Sequence, residues 1–142
     1  MKVKEIMTRN PSVCAPETPI QEVAKTMVGC DCGAVPIVGS TGTRGLVGII
    51  TDRDMVVRAI AEGRNPLTLK ASDCMTSPAV TIREDASLED CMELMESKKI
   101  RRVPVVDASG ALAGIVAQAD VARNASRQEA GELVRDVSAP TR

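Results

Sequence analysis

Thr51 and Asp54 stand three residues apart where an apolar run, Leu46-Val47-Gly48-Ile49-Ile50, gives way to polar residues. A hydroxyl and a carboxylate at that spacing can satisfy backbone N–H groups that the first turn of a helix leaves unpaired. Such a capping role explains both residues without a ligand and contributes about 1 kcal/mol. Asp120 holds the matching place after Leu112-Ala113-Gly114-Ile115-Val116, but there Ala117 has no hydroxyl to offer. An acidic residue in a first helical turn is still favoured by the helix dipole. Arg53 reads in two ways, as a solvated surface arginine or as a phosphate ligand. A helix N-terminus already favours anions, and a guanidinium adds bidentate hydrogen bonds. Arg101 and Arg102 close the basic run Lys98-Lys99-Ile100-Arg101-Arg102, whose simplest reading is a solvated surface.

The five cysteines, an odd number, fit a reducing compartment better than a disulfide framework. By internal alignment Cys91, Cys74 and Cys32 fall on core positions, where a free thiol behaves as a small hydrophobe. Cys30 falls on an exposed position and Cys14 at the edge of a cleft. Cys30-Asp31-Cys32 offers only two thiolates, a weak metal site, so no metal is expected. An oxidation-sensitive role for Cys14 or Cys30 is the alternative.

The elements that position these residues come in two copies. Met7-Thr8 matches Met75-Thr76, Ile20, Val23, Ala24 and Met27 match Leu88, Cys91, Met92 and Met95, and Val35-Pro36-Ile37-Val38 matches Val103-Pro104-Val105-Val106, all at a shift of 68. Gly48 matches Gly114 at 66, because the turn after Val38 is two residues longer in the first copy. A shift held over so many positions marks an internal duplication. Each copy begins with a short extended piece, Ser12 to Ala15 or Ala79 to Ile82. A helix follows, for which Thr18 is read as the cap, Pro19 as the first helical residue and Gln21 as the partner in a capping box. Ile20, Val23, Ala24, Met27 and Val28 trace its expected buried face. Two strands come next, Ala34–Val38 and Leu46–Ile50 in the first copy, with a turn around Ser40-Thr41-Gly42-Thr43. The copy closes with a helix from Asp52 to about Glu62, ended by Gly63. The boundaries read as 3–62 for the first copy, a linker at 63–73, 74–125 for the second, and a polar, partly helical tail at 126–142, extending the last helix to about Val137 before Ala139-Pro140. A βαββα unit of this size leaves one sheet face uncovered, so an α+β domain in which the copies bury those faces with pseudo-twofold symmetry is expected, with two clefts near Thr51 and Ala117.

Composition narrows the function. The chain has 142 residues, 44% of them apolar, a net charge of −1, and no Phe, Tyr, Trp or His. Its core must be aliphatic, and the usual general base and commonest metal ligand are missing. There is no basic surplus to suggest nucleic acid, no membrane-spanning run and no apolar signal-peptide core, so a cytoplasmic protein is expected. No Walker-type loop, Gly-x-Ser-x-Gly or well-set acid pair appears, so an enzyme is not expected.

The set Val-Pro-(Ile/Val)-Val followed by Gly-Ile-(Ile/Val)-Thr-x-x-Asp, with Ile-Met-Thr and Cys-Met-Thr opening the copies and Arg-Arg-Val-Pro-Val-Val at 101–106, resembles a tandem pair of CBS domains, a Bateman module, of the small bacterial kind. The resemblance implies a regulatory module that binds AMP, ADP, ATP, or at times NAD or S-adenosylmethionine, between the repeats and signals to an effector protein in trans. It implies ribose contacts from Asp54 with Thr51 and from Asp120, although Ala117 departs from the pattern. It implies phosphate contacts from basic residues by the Val-Pro strand. These are Arg101 and Arg102, with Arg53 a further candidate. Successive strand residues face opposite ways, so one of the pair faces a cleft, and Arg102 is preferred. Gly33 and Ala34 stand there in the first copy. With no aromatic to stack on, adenine would lie among Val13, Cys14 and Ala15, or Val80, Thr81 and Ile82. Met7 and Met75 read as core. The family's habit of pairing modules through helices implies a homodimer. The competing reading is a ligand-free dimer that serves as a structural or protein-interaction unit.

Overall fold

A computed structural model describes residues 1–39, 45–125, 135 and 137. The turn expected at 40–43 and most of the tail lie outside the described residues. The chain is α+β and divides into two compact units that do not follow the order of the repeats. Pro11–Ala79 forms the first-repeat unit, while Val80–Arg142 combines with Met1–Asn10 in the second-repeat unit. Each repeat's opening Met-Thr segment therefore belongs to the sheet of the other.

In the second-repeat unit four strands run in the order β1-β6-β5-β4. These are β1 (Thr8–Arg9), β4 (Ile82–Arg83), β5 (Arg102–Val106) and β6 (Leu112–Ala117). Strand β6 is antiparallel to both β1 and β5, and β4 is parallel to β5. The first-repeat unit repeats this plan with two full strands, β2 (Ala34–Val38) and β3 (Leu46–Thr51), and single-residue bridges at the flanks. Cys14 bridges Ile37 in parallel, and Ile49 bridges Thr76 antiparallel. The matching hairpins keep one register: Ala34 faces Thr51 as Arg102 faces Ala117, with a bulge one residue before the end of the Val-Pro strand in each.

The duplicated glycines are explained by this pairing. A Cβ placed on Gly48 would stand 2.5 Å from Thr76 O, and one on Gly114 would stand 2.6 Å from Thr8 O. The incoming Met-Thr segment needs that space, and only glycine leaves it.

The helices are α1 (Ile20–Cys30), α2 (Asp52–Met55), α3 (Ala71–Cys74), α4 (Leu88–Lys98) and α5 (Gln118–Asn124). Ile20, Val23 and Met27 bury one stripe of α1 against Val35, Ile37 and Ile50, and Leu88, Cys91 and Met95 do the same on α4 against Val103, Val105 and Val116. The cores are wholly aliphatic and sulfur-bearing, as a chain without aromatic residues requires. Val137 is buried with the second cluster.

Several expectations are corrected. Helix α1 starts at Ile20, after Pro19, and Thr18 does not cap it. The Thr18 hydroxyl instead accepts from Ala15 N at 2.9 Å. The Ile20 N–H is satisfied by Leu69 O at 2.9 Å, just as Leu88 N–H is satisfied by Met1 O at 2.9 Å. The segment before each opening Met-Thr thus caps a helix of the other repeat, so no capping box from Gln21 is needed. Val28 is 83% exposed, at the margin of the stripe rather than on it. The extended pieces are shorter than expected: Cys14 alone bridges in one, and β4 covers only Ile82 and Arg83 in the other. The helix expected from Asp52 to Glu62 is α2 followed by a π-turn at Val56–Ile60, with Gly63 at φ 72° ending it. Cys30 and Cys32 are joined in a disulfide, where core and surface thiols were expected.

Candidate functional site

Two strand-to-helix junctions carry the residues of interest. In the first-repeat unit β3 delivers Thr51 in extended conformation (φ −113°, ψ 163°) to the start of α2. Asp54 N donates to Thr51 Oγ1 at 3.0 Å, and Thr51 N donates to Asp54 Oδ2 at 2.9 Å. This is a complete capping box. It uses only one carboxylate oxygen, since Asp54 Oδ1 has no hydrogen-bond partner among the described residues. Both side chains are half-buried.

In the second-repeat unit β6 delivers Ala117 to α5 in the same way (φ −103°, ψ 159°). Ala117 N donates to Asp120 Oδ2 at 2.8 Å. The other oxygen, Oδ1, is engaged by the Arg123 guanidinium in a close ion pair. Asp120 is 7% exposed, a buried acid with both oxygens occupied. The i, i+3 spacing of Asp120 and Arg123 on one helix was a readable signal for this pair.

The remaining candidates sort by unit. Arg101 and Arg102 are both exposed beside the second junction, where Arg101 O accepts Gln118 N at 2.7 Å and Arg102 is registered against Ala117. They share a unit with Asp120 and not with Asp54. Arg53 is exposed on α2, one residue before Asp54. Val13 and Ala15 are half-buried and Cys14 is buried, with Cys14 N donating to Pro36 O at 3.1 Å. Val80 is half-buried, Thr81 exposed and Ile82 buried. Met7 is buried and Met75 half-buried against its cluster.

Three residues were not singled out from sequence. Arg58 donates to Met75 O at 2.7 Å and Cys74 O at 3.3 Å, holding the incoming segment of the second repeat against the π-turn. No sequence signal separates it from other surface arginines. Gln118 buries its Nε2 without a partner among the described residues, next to Asp120. It occupies the place of exposed Asp52 in the other repeat. Arg123 is the third, paired as above.

Burial pushes the Cys74 thiol up, against a smaller opposing pull from Arg64. Burial, helped by the charge of Asp120, pushes the Cys91 thiol up to about 11. Both stay neutral thiols near neutral pH. No group of three or more His, Cys, Asp or Glu among the described residues is placed to hold a metal ion. No helix among the described residues is long and apolar enough to cross a membrane.

Comparison with known proteins agrees with the duplicated architecture. The CBS domain family matches twice, at residues 3–60 and 71–127. The CBS domain-containing protein YhcV of Bacillus subtilis is 39% identical over 137 residues, covering 96% of this chain and 94% of YhcV. Among solved structures, CBSX2 in complex with AMP is 30% identical with a TM-score of 0.75, over 90% of this chain and 98% of that one. Hypoxic Response Protein I with two coordinated zinc ions is 31% identical with a TM-score of 0.78, over 88% and 99%. This chain belongs to the CBS domain family and carries a tandem pair of CBS domains.

Proposed function

We propose that this CBS pair is a regulatory module that binds an adenosine nucleotide, with Thr51 and Asp54 receiving the ribose hydroxyls. The observation that carries the reading is Oδ1 of half-buried Asp54, a carboxylate oxygen held in place by the capping box yet without a hydrogen-bond partner among the described residues. A preorganised acceptor of that kind suits a vicinal diol, because charge-assisted hydrogen bonds are the strong ones. CBSX2, similar over most of this chain, has been crystallised with AMP, which supports the nucleotide class. Arg53 is the phosphate candidate nearest Asp54 in sequence; Arg101 and Arg102 serve the second junction. Val13, Cys14 and Ala15, or Val80, Thr81 and Ile82, line the purine by aliphatic contact. The ligand is a signal rather than a substrate, so the module acts on an effector protein in trans and does no chemistry of its own. Any such signal requires different ligand affinities in two states of the module.

A homodimer is the second part of the reading. Val56, Val57 and Ile60 are 53%, 45% and 60% exposed on the π-turn after α2, an apolar surface that suits a second copy. Should this surface alone carry the function, the protein is an interaction module without a ligand.

Calorimetric titration with AMP, ADP and ATP tests the nucleotide reading. Asp54→Asn keeps a capping oxygen and removes the charge. It is expected to weaken binding about tenfold or more, since hydrogen bonds to charged groups are worth roughly 1.5–3 kcal/mol. Because the chain has no Trp or Tyr, a co-purified nucleotide would also stand out in its ultraviolet spectrum. Unchanged affinity in a variant lacking both Asp54 and Asp120 carboxylates would refute the assignment. No binding at all, with a tight dimer in light scattering, would favour the interaction module.

A further inference from the structure

Helix α1 ends in Cys30-Asp31-Cys32, and the two sulfurs are bonded. The cap itself brings them together. Asp31 adopts the left-handed conformation (φ 52°, ψ 48°), and Cys32 N donates back to Met27 O at 3.1 Å. The Cα atoms of the two cysteines are then 5.3 Å apart, within the range a disulfide needs.

The second repeat shows that the cap does not require sulfur. Lys99 takes the same left-handed conformation (φ 56°, ψ 42°), and Ile100 N donates to Met95 O at 3.2 Å. The residues flanking it are Lys98 and Ile100. One backbone geometry is thus built twice, and only one copy carries the cysteine pair. The sulfurs are an addition to the fold rather than a condition of it.

Their setting differs from that of the other cysteines. Cys14, Cys74 and Cys91 are buried free thiols. Cys30 and Cys32 are half-buried with exposed Asp31 between them, on a helix end that a small molecule can approach. The negative end of the helix dipole and the Asp31 carboxylate both disfavour an anionic thiolate there, which favours the bonded, uncharged state. A pair stabilised as the disulfide is a weak oxidant, the opposite of one whose thiolate is stabilised.

We propose that Cys30 and Cys32 form a reversible two-electron redox site that exchanges with small-molecule thiols and disulfides. In oxidation, the thiolate of one cysteine attacks a sulfur of a small disulfide, forming a mixed disulfide and releasing one small thiolate. The thiolate of the other cysteine then attacks the protein sulfur, closing Cys30–Cys32 and releasing the second small thiolate. The two thiol protons pass through solvent to the released thiolates, and the two electrons leave with the small thiols so formed. Reduction is the reverse. The site adjoins the first junction through the backbone: Gly33 O accepts Asp52 N at 3.0 Å, and Ala34 is registered against Thr51. The redox state of the pair therefore sets the restraint on the segment that abuts the capping box. The site itself stands whether or not a nucleotide binds.

The test equilibrates the full chain in buffers of varied reduced-to-oxidised glutathione ratio. After acid quench and alkylation under denaturing conditions, peptides are mapped by mass spectrometry. The expected result is two fewer alkylated thiols at the oxidising end, with the loss confined to Cys30 and Cys32 and reversed by reduction. Cys30→Ser and Cys32→Ser should each abolish the intramolecular bond and leave the remaining cysteine as a glutathione mixed disulfide. Both variants keep the cap that Lys98-Lys99-Ile100 forms without sulfur, so folding is expected to survive. A pair that stays in the dithiol state at every ratio would overturn the proposal. So would oxidation mapping to Cys14 or to a bond between two chains.

Discussion

At the Thr51 junction the helix cap is shared between two side chains, and one acidic oxygen has no partner among the described residues. At the Ala117 junction one side chain does the capping alone, and Arg123 takes the oxygen that remains. The sheets that deliver these junctions have the same register, the same bulge and the same glycine under the same incoming Met-Thr segment. Duplication has thus preserved what packs and let diverge what faces outward. The difference teaches how a carboxylate in one sequence position can keep an oxygen to spare in one copy and be wholly engaged as an anchor in the other, among the described residues. Under the proposed reading, the number of its oxygens that the fold already uses sets which junction receives a ligand.

The shared part breaks most severely at the glycines. Gly48→Val and Gly114→Val should each cost about 3 kcal/mol, the upper end for overpacking, because the obstructing atom is a backbone carbonyl. Thr76 O cannot retreat without losing its bond from Ile49 N at 3.0 Å. Urea denaturation should show near-equal losses for the two variants. A loss at one glycine only would end the equivalence of the two pairings.

Cys91 and Val23 hold the same place in the two helices, yet only one can titrate. The Cys91 thiol is raised from its ordinary 9.0 to about 11, so the folded state keeps a proton that the unfolded chain releases. Its contribution is fully present below about pH 9 and is lost as pH rises through 11, at most about 3 kcal/mol in all. Cys91→Val, which copies Val23, should flatten that alkaline loss in denaturation curves taken across this window. An unchanged slope would place the alkaline sensitivity elsewhere.

The caps can be exchanged. Thr51→Ala removes a hydroxyl that accepts Asp54 N and should destabilise by about 1 kcal/mol, whereas Ala117→Thr supplies the missing acceptor and should stabilise by a similar amount. Effects of the same sign in thermal unfolding would show that the two junctions do not share one cap geometry.

Much of this was legible because duplication is a pattern of residue types at a constant shift. The hairpins, the buried stripes of α1 and α4 and the place of Thr51 and Asp54 follow from it, whereas the CBS resemblance rests on the Val-Pro and Thr-x-x-Asp motifs themselves. The exchange of opening segments was not legible. Met7-Thr8 and Met75-Thr76 announce that they are equivalent, but nothing in their spacing says which sheet receives them. That same exchange misled the reading of Thr18-Pro19, since the α1 amide it was meant to serve is met by Leu69 from the far end of the unit. The Cys30–Cys32 bond was missed because an odd cysteine count argues about the chain as a whole, whereas a pair two residues apart is decided by one left-handed residue between them. Asp120 and Arg123 could have been paired on spacing alone. The consequence for Asp120, that no oxygen remains free, is set by the fold around it.

An equally small change in stability is the one that sharpens the comparison best. Arg123 has a side chain 71% exposed, so water can take its place at Oδ1 of buried Asp120, and Arg123→Ala should cost about 1 kcal/mol. Its effect on Asp120 is of another kind, because it returns Oδ1 to the state that Asp54 Oδ1 already has. If occupancy of the carboxylate is what separates the two junctions, calorimetry should then show nucleotide binding that Asp54→Asn weakens by less than its tenfold effect in the parent chain, and Ala117→Thr in the same chain should strengthen it. If the Asp54→Asn, Arg123→Ala chain binds no better than Asp54→Asn alone, the oxygen count is not the determinant. The difference between the junctions would then lie in the residues around them, with Gln118, whose amide nitrogen is buried without a described partner, the first to replace.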